Sequence, residues 1–292
     1  MKIDNDRLRA FHRLAMDRNY HKAAANLCLS QSAVSQRIQK LEQEIGEKLV
    51  VRNHKGIRLT EAGQVLFLHA CNLLTLEQET LSIIDGSPRG DCGSGNLRVA
   101  SYSSVLRSVI IPALGELIRA LPGLHVEFFS RELKQLLPML RSGQADMIIL
   151  DHSLENPELQ RHFLGEEELV HVRHRDHADP EQVFLDHDNE DMTTFHFFQR
   201  QHERNIEIRR CFYDDIYGII DGVRLGLGQA IVSRHLIRDI EEIGIQPQPY
   251  PISNPVYLYH DRNRLLSRYQ RQAVEALIEN SGQYLSTDPA GA

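Results

Sequence analysis

The N-terminal part of the chain carries apolar side chains at the spacing of α-helices. Leu8, Phe11 and Leu14 predict a first helix, and a second is predicted from about residue 21 to residue 28. A third helix is predicted by one buried stripe, made of Val34, Ile38, Leu41 and Ile45. These helices follow one another closely and predict a small helical unit.

Turn-forming residues mark the ends of the third helix and a hairpin after it. Ser30 can cap the helix because its hydroxyl accepts a hydrogen bond from a free backbone N–H, and Gly46 is typical of a helix end. Residues 49–52 and 57–59 flank the segment 53–56, a pattern typical of two strands joined by a hairpin loop. The helices and the hairpin together predict a winged helix-turn-helix.

A longer helix is predicted from about Glu61 to Ile84, with Thr60 as its cap. Its stripe alternates at spacings of 4 and 3 and comprises Ala62, Leu66, His69, Leu73, Leu76, Thr80 and Ile83. This rhythm is typical of a two-helix seam. The stripe can also pack on its own domain. A seam between two copies is favoured because a helix of this length extends beyond so small a domain and must bury the rest of its stripe elsewhere. A Gly- and Ser-rich segment follows and predicts a flexible hinge.

From Leu97 onward, strand-like and helix-like runs alternate. Strands are predicted at 97–100, 125–129, 146–150, 207–212, 229–232 and 256–259. Helices are predicted near 104–120, 132–142, 214–225 and 267–281. This interleaving predicts an α/β domain with a mostly parallel, wound sheet.

The charge of the chain is divided unevenly along its 292 residues. The net charge is −7, but residues 1–65 carry +5 and the remainder carries −12. A basic module on an acidic body is typical of a small nucleic-acid-binding unit attached to a partner domain. The sequence shows no signal peptide or membrane-spanning run, and its 4 cysteines form no CxxC pair, so we expect a cytoplasmic protein without a zinc cluster or disulfides.

The third helix and the wing provide the candidate DNA-binding residues. The polar face of the helix is short and almost uncharged, which suits a major groove, where Gln pairs with adenine and Ser meets several base edges. Basic side chains beside it are placed to bind phosphates. The candidates are Gln31, Ser32, Ser35, Gln36, Arg37 and Lys40 on the helix, and Arg52, His54, Lys55 and Arg58 on the wing.

The run KAAANLCLSQSAVSQRIQKLEQEIGEKLVVR, followed by IRLTEAG, resembles the DNA-binding segment of LysR-type transcription regulators. Val50 departs from the pattern, because the family usually has an aromatic residue there. The resemblance implies double-stranded DNA and RNA polymerase as partners, a homodimer or homotetramer, and a two-lobed effector domain like that of periplasmic solute-binding proteins. The implied domains are a winged helix-turn-helix over 1–60, a linker helix over 61–85, a hinge over 86–96 and an effector domain over 97–292.

The same resemblance implies a small-molecule effector between the lobes. Its candidate ligands are Ser101, Tyr102, Ser103, Ser104, Ser130, Arg131, Asp151, Phe198 and Gln199, and ordinary helix capping is the alternative for the hydroxyl groups. Segments such as YLYHDRNRL are similar to regulators that respond to arginine and lysine. Those regulators carry an acidic residue in the segment that corresponds to residues 101–104 of this chain, where this chain has none. A cationic effector would therefore need another partner, such as Asp151 or Asp214. The effector is expected to be an amino acid or another small carboxylate.

Two other classes of protein were weighed against a regulator. An enzyme is disfavoured because no catalytic constellation is present, and Gly93-Ser94-Gly95 lies in the hinge. His171, His174 and His177 are spaced three residues apart, which suggests a metal sensor as an alternative. On a strand, however, histidines at this spacing alternate between opposite faces. Solvated histidines are the favoured interpretation, so we expect no resident metal or cofactor.

Overall fold

The computed structural model describes residues 3–53, 56–84, 95–177, 182–202 and 208–286. His54, Lys55 and residues 86–94 of the predicted hinge lie outside this part of the chain. No helix within the described ranges is long and apolar enough to cross a membrane.

The N-terminal helices form where the apolar periodicity predicts them. They are α1 (Asn5–Asp17), α2 (Tyr20–Asn26) and α3 (Gln31–Ile45), and their apolar faces share one core. Ser30 caps α3 by accepting a hydrogen bond from the backbone N–H of Ala33 at 3.1 Å, and Gly46 ends it with a φ of +82°. The helix-turn-helix is confirmed.

The wing is an antiparallel pair, β1 (Val50–Asn53) and β2 (Gly56–Leu59), in which Val50 lies opposite Leu59. Its base fits closely against the following helix, α4 (Glu61–Ile84). A Cβ added at Gly63 would lie 2.1 Å from the carbonyl oxygen of Leu49. Only glycine allows this approach of α4 to the wing.

The predicted stripe of α4 is divided between two environments. Leu66 is buried in the core of the N-terminal domain, together with Phe67, Ala70 and Cys71. His69 and Leu76, from the same stripe, are exposed. The first half of the helix therefore packs on its own domain, which was the alternative to a seam, and the second half presents apolar surface.

The remainder of the chain alternates between strands and helices. In chain order its main elements are β3 (Gly95–Ser101), α5 (Ser103–Val105), a π-helical turn (Leu106–Ile110), α6 (Ile111–Ala120), β4 (Leu124–Ser130), α7 (Leu133–Arg141), β5 (Met147–Leu150), β6 (Leu159–His174), β7 (Val183–Asp186), α8 (Thr193–Arg200), β8 (Arg209–Phe212), α9 (Ile216–Arg224), β9 (Ala230–Ser233), β10 (Ile243–Ile245), β11 (Ile252–Asp261) and α10 (Arg268–Asn280).

Parallel pairing occurs only within each lobe and in two separate sheets, one of seven strands and one of two, so the prediction of a mostly parallel sheet is wrong. In the first lobe β3 is parallel to β4 and β5, and in the second β7 is parallel to β8. The long strands β6 and β11 run antiparallel to each other, and β11 and β6 pair antiparallel with β5 and β9 respectively. They connect the lobes directly and need no helical crossover, which parallel neighbours require.

Strand β6 passes from the core of one lobe into the core of the other. Its Leu164 packs in the first lobe, whereas Val170 and Val172 pack in the second. At the crossing point Gly165 has a φ of +141°, and a Cβ there would lie 2.7 Å from Leu285 Cβ. This placement brings the middle of β6 to the cleft between the lobes.

Candidate nucleic-acid interface and effector cleft

The polar face of α3 stands opposite its buried stripe. Gln31, Ser32 and Gln36 are exposed, and Ser35 is partly exposed between them. The basic side chains of the helix flank this face, with Lys40 exposed and Arg37 partly exposed. The structure therefore brings all the predicted α3 candidates to the surface, where a base edge or a phosphate can reach them.

The wing arginines are exposed and lie beside the start of α2. The guanidinium carbon of Arg52 is 4.5 Å from the centroid of the Tyr20 ring, a cation–π contact. Arg58 follows on the neighbouring strand, where it lies opposite Val51. These positions extend the cationic surface from α3 to the wing.

Glu42 is a functional residue that sequence reasoning missed. Its carboxylate accepts hydrogen bonds from the backbone N–H groups of Leu49 and Val50, at 2.9 and 3.3 Å, and from Lys48 at 2.7 Å. Burial opposes the charge, but these hydrogen bonds outweigh it and lower the pKa of Glu42. The ionised carboxylate, 7% exposed, holds the wing against α3. The signal in the sequence was its position beside Leu41, four residues after Ile38 and three before Ile45.

A cleft of about 510 Å³ lies between the lobes. Five of the predicted effector ligands line it, namely Tyr102, Ser103, Ser104, Ser130 and Arg131. They come together because β3 and β4 are parallel neighbours whose ends meet at one edge of the sheet, with Ser101 opposite Ser130. Asp214, the alternative partner for a cation, also lines the cleft.

The structure does not bring the other predicted ligands to this lining. Ser101 is fully buried at the end of β3, and the Asp151 carboxylate lies 2.6 Å from the His152 ring outside the cleft. Phe198 packs in a core of the second lobe, because the inner face of α8 carries it there. Gln199, one position on, faces a separate depression beside Asn254.

Glu167 is the buried centre of the cleft wall. Its carboxylate accepts hydrogen bonds from Tyr102 Oη at 3.0 Å, Ser233 Oγ at 2.7 Å and His235 Nε2 at 2.9 Å. Burial opposes the charge, yet the hydrogen bonds from His235, Ser233 and Tyr102 lower the pKa of Glu167. A charged carboxylate thus joins the first lobe, through Tyr102, to elements of the second.

Sequence reasoning missed Glu167 because no strand was predicted at β6. The signal was the acidic run Glu166-Glu167-Glu168, since alternate residues of a strand face opposite sides. At the surface, Glu166 accepts a hydrogen bond from Ser253 and Glu168 accepts one from Arg234. Glu167, between them, points inward and is buried.

Carboxylates dominate the charge of the cleft. Among the described residues that line it, one is an arginine, Arg131, and the acidic ones are Glu132, Glu167, Asp186, Asp191, Asp214 and Asp215. Arg210 pairs with Asp186, so that carboxylate is neutralised locally. The remaining lining favours a ligand with a cationic group.

The spaced histidines do not share one environment. The His171 ring is partly buried; it is hydrogen-bonded to Gln229 and stacks on Phe184 at 5.6 Å. The rings of His174 and His177 lie 4.4 Å apart near the surface. The interpretation as solvated histidines is therefore wrong for His171. Within the described ranges no group of three or more His, Cys, Asp or Glu is arranged to hold a metal ion.

Two family models match the chain. The model of the bacterial regulatory helix-turn-helix protein, lysR family, matches residues 5–64, and that of the LysR substrate binding domain matches residues 91–282. A probable RuBisCO transcriptional regulator of Cyanidioschyzon merolae is 28% identical over 301 residues, covering 92% of this chain and 94% of that protein. The HTH-type transcriptional regulator BudR of Raoultella terrigena is 32% identical over 171 residues, 58% of this chain and 59% of that protein.

Solved structures share the fold over nearly the whole chain. Full-length LysG from Corynebacterium glutamicum with bound effector Arg superposes with a TM-score of 0.71 at 20% identity, covering 97% of this chain and 99% of that one. ArgP from Mycobacterium tuberculosis superposes with a TM-score of 0.74 at 20% identity, covering 98% of this chain and 100% of that one.

Proposed function

The chain belongs to the LysR family of bacterial transcription regulators, and on this premise we propose which of its residues bind DNA and which bind the effector. The exposed face of α3 enters the major groove of a duplex, and the wing binds its phosphates. The observation that supports this is a nearly uncharged polar face on α3, flanked by exposed arginines on the wing. Gln31 and Ser35 discriminate bases, whereas Arg52 and Arg58 supply affinity.

The test selects tight-binding duplexes from a random pool with the full-length protein and then compares two variants. Gln31→Ala should relax the preference for one base, at a cost of about 1–3 kcal/mol on the selected duplex. Arg58→Ala should weaken all duplexes alike and lower the slope of log K against log salt by about 0.9. Equal losses on all duplexes for both variants would refute the assignment of α3 to the groove.

For the effector we propose an amino acid with a cationic side chain. The excess of carboxylates over arginine in the cleft supports the cation, and Glu167 keeps one of those charges inside the wall. Ser103 and Ser104 begin a run of helix that continues to Ala120, and its free N–H groups suit a carboxylate. The arginine-bound LysG shows that a protein of this fold accommodates such a ligand.

Calorimetry on the full-length protein tests this proposal with three probes. L-arginine carries a carboxylate and a cationic side chain, agmatine lacks the carboxylate, and norleucine lacks the cation of the side chain. We expect arginine to bind at least about tenfold tighter than either probe, a difference of about 1.4 kcal/mol. Norleucine binding as tightly as arginine would contradict a cationic effector.

A matched pair of variants locates the cation. Asp214→Asn removes an exposed carboxylate of the cleft and should weaken arginine binding up to about fivefold, the scale of an exposed ion pair. Asp221→Asn removes an exposed carboxylate that pairs with Arg224 on α9 and should leave the affinity unchanged. Equal effects of both variants would place the cation elsewhere.

We also propose that the chain acts as a homodimer joined through α4. Val65 is 73% and Leu76 56% exposed, and the two lie on one face of the helix together with His69. A second copy would cover this apolar surface. Assembly into tetramers and contact with RNA polymerase stay predictions from the sequence.

A further inference from the structure

A second depression, of about 930 Å³, lies between the N-terminal domain and the first lobe. Helices α1 and α4 form most of one wall, to which α2 adds Lys22, and β4 and α7 form much of the other. The two units touch beside it, where Arg98 Nη1 lies 3.4 Å from Met16 Sδ. The depression therefore joins surfaces from both domains.

Free cations face this depression from both sides. Three carboxylates line it: Asp17 and Glu77 are paired with Arg13 and Arg9, whereas Glu127 on β4 is exposed and forms no ion pair among the described residues. Four other cations of the lining have no ion-pair partner among the described residues. They are Arg18, Lys22, Arg131 and Lys134. All four are exposed. This cationic strip stands out on a body that carries −12 beyond residue 65.

The strip continues from the wing. A Cβ added at Gly56 would lie 3.7 Å from the carbonyl oxygen of Arg18, so the end of α1 abuts β2. Partial burial and the neighbouring Arg58 both lower the pKa of Arg18. Arg52 of the wing stacks on Tyr20 at the start of α2, the helix that also carries Lys22. Cations thus run from the wing along α1 and α2 to the first lobe.

We propose that this strip is a second contact surface for the DNA backbone, so that the first lobe binds the same duplex as α3 and the wing. The inference rests on the proposed DNA-binding role. Exposed cations contributed by both domains suit the phosphates of a duplex. A small-anion site would need a few convergent groups in an enclosed pocket. Lys134 and Arg131 are the contributions of the effector domain.

The strip also connects DNA binding to the effector. Arg131 lines both the interlobe cleft and this depression. A ligand that draws the Arg131 guanidinium into the cleft removes one cation from the strip. Such a ligand would lower the number of phosphates that the first lobe neutralises.

The test measures how the affinity for the selected duplex depends on salt, in full-length protein, with two variants of one helix. Lys134→Gln removes a strip cation from α7, and Arg141→Gln removes an exposed cation from the last turn of α7, outside the depression. We expect Lys134→Gln to lower the slope of log K against log salt by about 0.9, because one phosphate is then no longer neutralised. Base preference stays unchanged, and Arg141→Gln matches the unaltered protein.

Other outcomes overturn the inference in distinguishable ways. Selective, salt-dependent binding with the same slope in Lys134→Gln would refute the strip and leave the proposed function standing. Binding of pyrophosphate that Lys134→Gln abolishes, with the DNA slope unchanged, would assign the strip to a small anion instead. Absence of selective DNA binding by the unaltered protein would refute both proposals.

Discussion

At the scale of single residues, His12 shows how burial next to cations controls a titration. Its ring stacks on Phe67 with centroids 5.4 Å apart. Burial, reinforced by the guanidinium groups of Arg264 and Arg98, lowers the pKa of His12 to about 4. The folded protein therefore holds this histidine neutral at a pH where the unfolded chain would protonate it.

This depressed pKa predicts a loss of stability in mild acid. Above pH 6.5, the ordinary histidine value, the folded and unfolded chains bind equal numbers of protons at this site. Between pH 6.5 and about pH 4 the unfolded chain binds more protons at this site than the folded chain. The free energy of unfolding therefore decreases as the pH is lowered, by at most about 1.4 kcal/mol per pH unit. Denaturant titrations at several pH values should show this slope.

The His12→Gln variant removes the titrating group and should flatten the profile in that window. His21→Gln changes an exposed histidine at the start of α2 and serves as the control. An unaltered slope in His12→Gln would show that the acid sensitivity arises from other groups.

Residue roles differ in how far the sequence reveals them. The exposure of Gln31 and Arg58 was predicted correctly because helix periodicity and hairpin position determine it, whereas their roles at DNA stay predictions. Phe198 and Gln199 were expected together in the cleft, but adjacent helix positions point about 100° apart, and α8 buries one of them. Glu167 was missed because no strand was predicted at β6, and the partners that hold its carboxylate come from β9 and the first lobe.

At the scale of elements, α4 combines two packing roles. Its first turns belong to the core of the N-terminal domain, and Leu76 further along remains 56% exposed. Apolar periodicity predicted the helix and its stripe, but it does not show which turns pack against other residues of the same chain. The extent of the contact between α1 and α4 decides this.

The exposed half of α4 predicts a change of assembly on charge insertion. Leu76→Lys places a charge in the proposed seam and should weaken the dimer at least about tenfold, because an unpaired charge would be desolvated there. Gln64→Lys adds the same charge to an exposed position on another face of α4. Sedimentation over a concentration series measures both, and a dimer unaffected by Leu76→Lys would refute this seam.

At the scale of the whole molecule, one buried carboxylate ties distant segments together. Asp146 is 1% exposed and precedes β5; its oxygens accept hydrogen bonds from Arg98 Nη2 at 2.6 Å and from the Arg98 backbone N–H at 2.9 Å. Arg264, after β11, lies 2.9 Å from the same carboxylate. Because Arg98 also touches Met16, this cluster lies directly under the contact between the domains.

Removal of the carboxylate should destabilise the protein strongly. Asp146→Asn leaves two guanidinium groups without their charged partner in a buried site, so we expect a loss of about 3–5 kcal/mol in the free energy of unfolding. Asp221→Asn breaks an exposed pair and should cost about 1 kcal/mol or less. Urea denaturation compares the variants, and equal effects would show that the buried cluster contributes no special stability.

The sequence by itself determined the N-terminal domain, because its caps, apolar stripes and hairpin are local signals within a few residues of each other. It also determined the α/β character of the second domain and the strand ends that line the cleft. Only the tertiary structure decided the antiparallel crossing of β6 and β11, the inward turn of Glu167 and the cationic strip shared by two domains. Each of these depends on segments far apart in the chain, whose meeting is decided by how the two domains and the two lobes pack.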